Sequence, residues 1–268
     1  MKKNIKPFSD GVPLKKQYGQ NFLRDRKVLM DILLATDLKK ASVFEIGCGD
    51  GALTREILHQ PVERLWVFEI DPAWATKVEE ECHDKRLVMH QGDFLEVDLE
   101  ILKPFAPWRL LANLPYHLTF PILRKLHAFR HYIPEGVIMI QEEVAQKITK
   151  SRGRGYGYVS LFYQYYFDWQ LLTKVHPDSF FPAPKIFSRL LHFKTKQNVQ
   201  PIVEEEQFWK FIDSCFSQPR RTLRNNLLQS HISLDLIPEE LLGLRAQQMN
   251  MANFLELWLA IHTKVVSK

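Results

Sequence analysis

The residues best suited to chemistry in this sequence are a tetrapeptide, Asn113-Leu114-Pro115-Tyr116, which directly follows a short apolar run. The Asn113 side-chain oxygen and the Leu114 carbonyl can each accept an N–H bond. Pro115 stiffens the turn that carries them, and Tyr116 offers a face for a flat ring. Such a set suits an exocyclic amine. The lone pair of adenine N6 is delocalised into its ring, so the amine must be held and polarised before it can attack an electrophilic methyl group. No strong base is needed, because the proton becomes acidic once the nitrogen is quaternised and water can take it. Read alone, the tetrapeptide is equally well an Asn–Pro-type turn with a packed tyrosine.

A second group lies upstream. Gly47-Cys48-Gly49-Asp50-Gly51 follows the apolar run Ser42–Ile46 and opens a helical pattern. Glycines there let the backbone turn sharply and approach a ligand, with helix N–H groups behind them. The spacing is G-x-G-x-G and not G-x-G-x-x-G, which weakens a dinucleotide reading. Glu69 ends the next apolar run, where a carboxylate can accept from both ribose hydroxyls. Asp93, in Gly92-Asp93-Phe94, stands after a third run, within reach of an adenine amino group. Turn and acids together fit S-adenosylmethionine better than NAD, since a sulfonium ligand brings no pyrophosphate to the helix N-terminus. An ordinary strand-to-helix turn with surface acids is the bland alternative.

The elements that must position these groups alternate. Strand-like runs fall at 42–46, 65–70, 86–90, 109–112 and 137–140, with helical patterns at 52–58, 72–81 and 121–129. Val28–Leu34 has the spacing of a further short helix. Such alternation predicts a parallel sheet covered on both faces, an α/β fold of seven strands once 170–175 and 188–193 are added. The aromatic group from Tyr156 to Phe167 has helical spacing and reads as core. Pro177–Lys185 holds three prolines and excludes regular structure. From Gln207 the pattern is helical only. The expected organisation is a Rossmann-like domain over 1–199 with a basic N-terminal segment, then a small helical domain over 200–268.

Composition narrows the classes. With 46% hydrophobic and 25% charged residues and 11 glycines, the 268-residue chain is globular, and collagen-like, disordered and disulfide-scaffold classes fall away. No apolar run reaches the roughly 18 residues of a membrane span, and the basic N-terminus has no apolar stretch behind it to make a signal peptide. Three scattered cysteines and ten dispersed histidines lack metal-type spacing. The expectation is a reduced, cytoplasmic protein without metal or disulfides. Net charge is +5, and residues 1–40 carry ten Lys/Arg against four Asp/Glu. Basic clusters recur at Lys147/Lys150/Arg152/Arg154 and Arg220/Arg221/Arg224. They suit a phosphate backbone, or are simply solvated charge.

The motifs, taken in order, resemble one family. Gln20-Asn21-Phe22-Leu23, Glu45-Ile46-Gly47-Cys48-Gly49-Asp50-Gly51-Ala52-Leu53-Thr54, Asn113-Leu114-Pro115-Tyr116, Phe180-Phe181-Pro182-Ala183-Pro184-Lys185 and Gln218-Pro219-Arg220-Arg221-Thr222-Leu223-Arg224-Asn225 are similar to those of the rRNA adenine N6,N6-dimethyltransferases. The last favours the housekeeping small-subunit branch over the erythromycin-resistance branch. The resemblance implies S-adenosylmethionine-dependent dimethylation of adenine N6 amines, two adjacent ones near the 3' end of 16S rRNA, in an immature small ribosomal subunit, by a monomer. It implies that Asn21 and Leu23 cover the cofactor, Gly47 meets its amino-acid part, Glu69 its ribose and Asp93 its adenine. Asn113 and Leu114 would hold the target amine, Asn113 also touching the cofactor, and Tyr116 and Phe180 would sandwich the flipped base. Cys48, His117 and Phe187 depart from the family's usual Pro, Asn and Asp.

Two other classes stay open on sequence. An NAD-dependent dehydrogenase fits the sheet but lacks the glycine spacing and a convincing hydride-transfer acid or base. A catalytically idle RNA-binding assembly factor is disfavoured by the intact Asn113–Tyr116 motif.

Overall fold

Strand β1 (Ser42–Ile46) is buried at every position. A continuous apolar run of this kind belongs in the middle of a sheet covered on both faces, where alternation gives way to uniform burial. The computed structural model describes residues 8–9, 11–228 and 234–266 and places β1 there. The other strands are β2 (Arg64–Glu69), β3 (Leu87–Gln91), β4 (Trp108–Asn113), β5 (Glu135–Gln141), β6 (Phe167–Val175) and β7 (Ser188–Thr195). They form one seven-stranded sheet in the order β3-β2-β1-β4-β5-β7-β6. β1 pairs in parallel with β2 and β4, β2 with β3, and β4 with β5. β7 runs antiparallel to β5. The expected Rossmann-like α/β fold is therefore the one observed.

The chain leaves β1 toward β2 and later returns on its other side as β4. The crevice outside the carboxyl ends of β1 and β4 is thus a topological switch point, where open α/β sheets bind ligands. The glycine turn follows β1, and Asn113 ends β4. Helices α1 (Arg26–Leu34), α2 (Ala52–Leu58), α3 (Pro72–Cys82) and α4 (Thr119–Ala128) follow the predicted pattern. Asp71 caps α3, its side chain accepting from the Ala73 N–H at 3.2 Å, and Pro72 sits in the first turn. Under the sheet, Phe44 meets Phe68 and Trp108 edge-on and stacks with Phe94, with centroids 6.1–6.4 Å apart. Helix α5 (Glu142–Ile148) is unanticipated, since it continues from β5 without a capping or glycine signal.

The proline-rich segment carries more order than its composition predicts. Phe180–Phe181 pairs antiparallel with Phe22–Leu23, a two-residue ladder that ends where Pro182 removes the next donor.

The chain divides into two compact units. One comprises the chain to Ala145 with Trp169–Thr195; the other comprises Gln146–Asp168 with the chain from Lys196. The second unit takes in 146–168, which the sequence reading assigns to the first. The reason is aromatic packing. Helix α6 (Tyr158–Tyr166) surrounds Trp209 of α7 (Glu205–Cys215), with Tyr158 and Phe162 at 5.9 and 4.8 Å, and the Trp209 indole N–H donates to the Tyr166 hydroxyl at 2.9 Å. Among the described residues after Thr195 only helices occur, including α8 (Leu223–Leu227), α9 (Glu239–Leu242) and α10 (Met251–Val266). Of the basic residues there, Arg224 pairs with Glu239, whereas Lys147, Arg154 and Arg220 line a cleft within this unit. No helix among the described residues is long and apolar enough to cross a membrane.

Candidate active site

At the switch point a cleft is lined by Asn21, Phe22 and Leu23 on one side and by Glu45, Gly47, Gly49 and Glu69 on its floor. Asn113, Leu114 and Tyr116 line the other side. The sequence reading brings seven of its site residues here: Asn21, Leu23, Gly47, Glu69, Asn113, Leu114 and Tyr116. Two are not among the lining residues. Phe180 is only 5% exposed and belongs to the same buried apolar cluster as Leu23, Cys48 and Met139. Asp93 follows β3, and its Oδ1 accepts from the Leu95 N–H at 2.8 Å.

The glycine turn is shaped for a ligand. Gly47 has φ +74°, and a Cβ there would meet no atom within 4 Å, so its open face borders the cleft. Gly49 has φ +53°, and a Cβ would come within 2.6 Å of the Phe22 ring. Only glycine allows both the left-handed backbone and that close approach. Phe22 in turn meets Trp74 edge-on at 5.0 Å.

Glu69 is 4% exposed and organised from both sides. Its Oε2 accepts from the Gly49 N–H at 3.0 Å and faces the Cys48 thiol at 3.6 Å; its Oε1 accepts from the Asp71 N–H at 2.8 Å. Burial pushes its carboxyl up from the ordinary value, against those donors. Oε1 keeps a further lone pair, whereas Oε2 already faces two donors. Beneath it, Glu45 is buried and accepts from the Thr54 hydroxyl at 2.7 Å; burial raises its carboxyl to about 8. Burial also raises the Cys48 thiol, keeping it a donor to Glu69. A cysteine therefore serves at the position where proline is usual.

On the opposite wall the Asn113 amide nitrogen donates to the Asn21 carbonyl at 3.0 Å, and Asn21 donates to the Gly19 carbonyl at 3.0 Å. The Asn113 oxygen is left to face the cleft as an acceptor. The Leu114 N–H is spent on the Met139 carbonyl at 3.1 Å, which fixes the turn. The Tyr116 hydroxyl and Ser188 Oγ lie 2.5 Å apart, anchoring the ring from its far end. Exposed His117 supplies no helix cap; its ring lies against Gly19, where a Cβ would approach Nδ1 to 3.1 Å. Phe187, where an acid is usual, meets His176 edge-on and lies 4.3 Å from Lys174 Nζ.

This geometry has counterparts. The profile of the family described as Ribosomal RNA adenine dimethylase matches residues 12–250. The chain belongs to this family. A ribosomal RNA small subunit methyltransferase A from Syntrophotalea carbinolica is 37% identical to it over 249 residues, spanning 90% of this chain and 94% of that one. In fold it is similar to a dimethyladenosine transferase from Plasmodium falciparum, with TM-score 0.78, 21% identity, and 91% of this chain and 98% of that one covered. The 23S rRNA methyltransferase ErmE follows at 0.70, with 23% identity, 90% of this chain and all of that one. The family's reaction is dimethylation of rRNA adenine, with S-adenosylmethionine as methyl donor, so the chain is an rRNA adenine dimethyltransferase. Open Gly47, donor-braced Glu69 and the acceptor face of Asn113 all fit that cofactor and that target.

The sequence reading misses Lys15, Glu45, Asp71 and Ser188. Asp71 had a signal as the capping residue before Pro72; Lys15 and Ser188 come to the site only through tertiary folding.

Proposed function

We propose that this cleft dimethylates the N6 amines of adenines in 16S rRNA, two adjacent ones near the 3' end, with the subunit still immature and the enzyme a cytoplasmic monomer that uses no metal. The names of its small-subunit methyltransferase relatives support this substrate. When bound, S-adenosylmethionine supplies an electrophilic methyl group on its sulfonium. The residues that would hold it are Gly47 at its amino-acid part, Glu69 at the ribose hydroxyls, Asp93 at the adenine, and Asn21 and Leu23 above. The sheet-bearing unit carries this chemistry, and the helical unit adds basic surface for RNA through Lys147, Arg154 and Arg220.

The Asn113 carboxamide oxygen and the Leu114 carbonyl accept the two amine hydrogens. They hold the nitrogen lone pair out of conjugation and toward the methyl group. After the first transfer one N–H remains, so a single acceptor suffices for the second. Tyr116 stacks on the base, held upright by Ser188. Phe180 completes the base pocket on this reading. Its backbone pairing with Leu23 ties the target side of the pocket to the segment covering the cofactor.

The observation that carries the proposal is the commitment of the Asn113 nitrogen to the Asn21 carbonyl, which leaves the oxygen as the acceptor. Asn113→Ala, assayed at saturating cofactor with immature small subunits, should lower the methylation rate about 100-fold. RNA binding should be retained, because its affinity comes from basic surface. A near wild-type rate in that variant overturns the mechanism.

A further inference from the structure

The carbonyl that orients Asn113 belongs to a segment clamped by one buried carboxylate. Asp71 is fully buried. Its Oδ1 accepts from Lys15 Nζ at 2.7 Å and its Oδ2 from Gln20 Nε2 at 3.0 Å. Gln20 Oε1 also accepts from the Lys15 backbone N–H at 2.7 Å, so the turn from 15 to 20 is closed on itself as well as on Asp71. Gly19, at φ +62°, lets the chain reverse between these contacts. The next residue is Asn21, whose carbonyl receives the Asn113 amide. From the same position in the chain the Asp71 N–H donates to Glu69 Oε1. One residue thus touches the covering segment with its side chain and the ribose-binding carboxylate with its backbone.

Geometry gives this arrangement a consequence for the chemical step. A carboxamide presents a donor at one end and an acceptor at the other, and rotation by half a turn exchanges them. Among the described residues, only the Asn21 carbonyl rewards the orientation with the nitrogen toward the segment. With the segment released, the Asn113 amide loses that preference, and an N–H donor can face the target amine, where it repels the hydrogens it should accept.

We propose that Asp71 is a positioning residue for methyl transfer: by gripping Lys15 and Gln20 it fixes the Asn21 carbonyl, and that carbonyl fixes which end of Asn113 faces the adenine amine. The inference rests on the reading of Asn113 as the amine acceptor. The segment that covers the cofactor cleft thereby also sets the target side of the site.

The test uses Lys15, which is partly exposed, so the variant should fold where an Asp71 variant would lose a helix cap. The full-length enzyme is assayed with immature small subunits as wild type, Lys15→Met, Lys15→Arg, Asn113→Ala and Lys15→Met/Asn113→Ala. Cofactor affinity is measured separately by calorimetry. Lys15→Met should lower kcat about tenfold at saturating cofactor, and Lys15→Arg should restore most of it. In the Asn113→Ala background Lys15→Met should change kcat less than twofold, because no amide remains to orient. Equal losses in both backgrounds overturn the proposal, as does a rise in cofactor KM with kcat unchanged, which makes the grip a cofactor cover only. A near wild-type rate for Asn113→Ala alone overturns the underlying reading, and the positioning role with it.

Discussion

Replacing Glu69 with glutamine exchanges one oxygen for an NH2 group in a place where both oxygens are already accepting. Whichever way the new amide turns, its nitrogen faces a backbone donor: the Gly49 N–H now 3.0 Å from Oε2, or the Asp71 N–H now 2.8 Å from Oε1. Beyond these donors and the Cys48 thiol, the wild-type carboxylate keeps a free lone pair on Oε1, enough for one ribose hydroxyl; a second must share Oε2 with the thiol. Hydrogen bonds to a charged acceptor contribute roughly 1.5–3 kcal/mol each. Glu69→Gln removes the charge from both and one acceptor outright, so a loss of about 3 kcal/mol is expected, near a 100-fold rise in Kd. Folding should suffer less. An unsatisfied N–H costs roughly 1–3 kcal/mol, but the variant no longer buries a carboxylate whose charged form is disfavoured there. Calorimetric titration with S-adenosylmethionine, beside a thermal melt, separates the two effects. A folded Glu69→Gln enzyme with Kd within about threefold of wild type refutes the ribose assignment.

Two other perturbations follow from the same floor. Glu45 has its carboxyl raised to about 8 by burial, so the native state holds a proton that the unfolded chain has released above its ordinary value of 4.5. Its contribution to stability is greatest below pH 4.5 and is lost as pH rises toward 8. Urea unfolding of Glu45→Gln should therefore show less loss of stability between pH 5 and pH 8 than wild type, by a few kcal/mol, and parallel curves for the two proteins contradict the assignment. Gly49→Ala should destabilise the fold by roughly 1–3 kcal/mol and weaken cofactor binding, since its Cβ strains a left-handed residue and displaces Phe22. A melting temperature equal to wild type argues against that packing.

The elements were legible where local pattern and tertiary role coincide. Ser42–Ile46 reads as a buried strand because every residue is apolar or small, or, like Glu45, paired inside the protein. The glycine turn, Glu69 and Asn113 were legible because a cofactor fold needs special residues at the ends of its strands, and those positions follow once the strands are found. Lys15, Asp71 and Ser188 escaped for the opposite reason. Each is a common residue whose task depends on a partner far along the chain: 56 positions separate Lys15 from Asp71, and 72 separate Tyr116 from Ser188. No spacing rule reaches that far. Phe180 shows the same limit from another side. The resemblance sets it against the flipped base, but neither its burial nor its ladder with Leu23 could be read from spacing.

The charges of the site make sense only with both chain and cofactor counted. Glu45, Asp50, Glu69 and Asp71 crowd one floor, and burial raises the carboxyls of the first three. Glu45 resolves this by keeping its proton to about pH 8. Asp71 is paired by Lys15 and Asp50 by Arg24, two cations from the covering segment, and Arg24 is itself held by Ser9 Oγ at 2.7 Å. Glu69 has backbone donors and a thiol but, among the described residues, no cation in an ion pair with it. On the proposed reading, a ribose hydroxyl donating to Glu69 adds a neutral partner where burial disfavours the charged carboxyl.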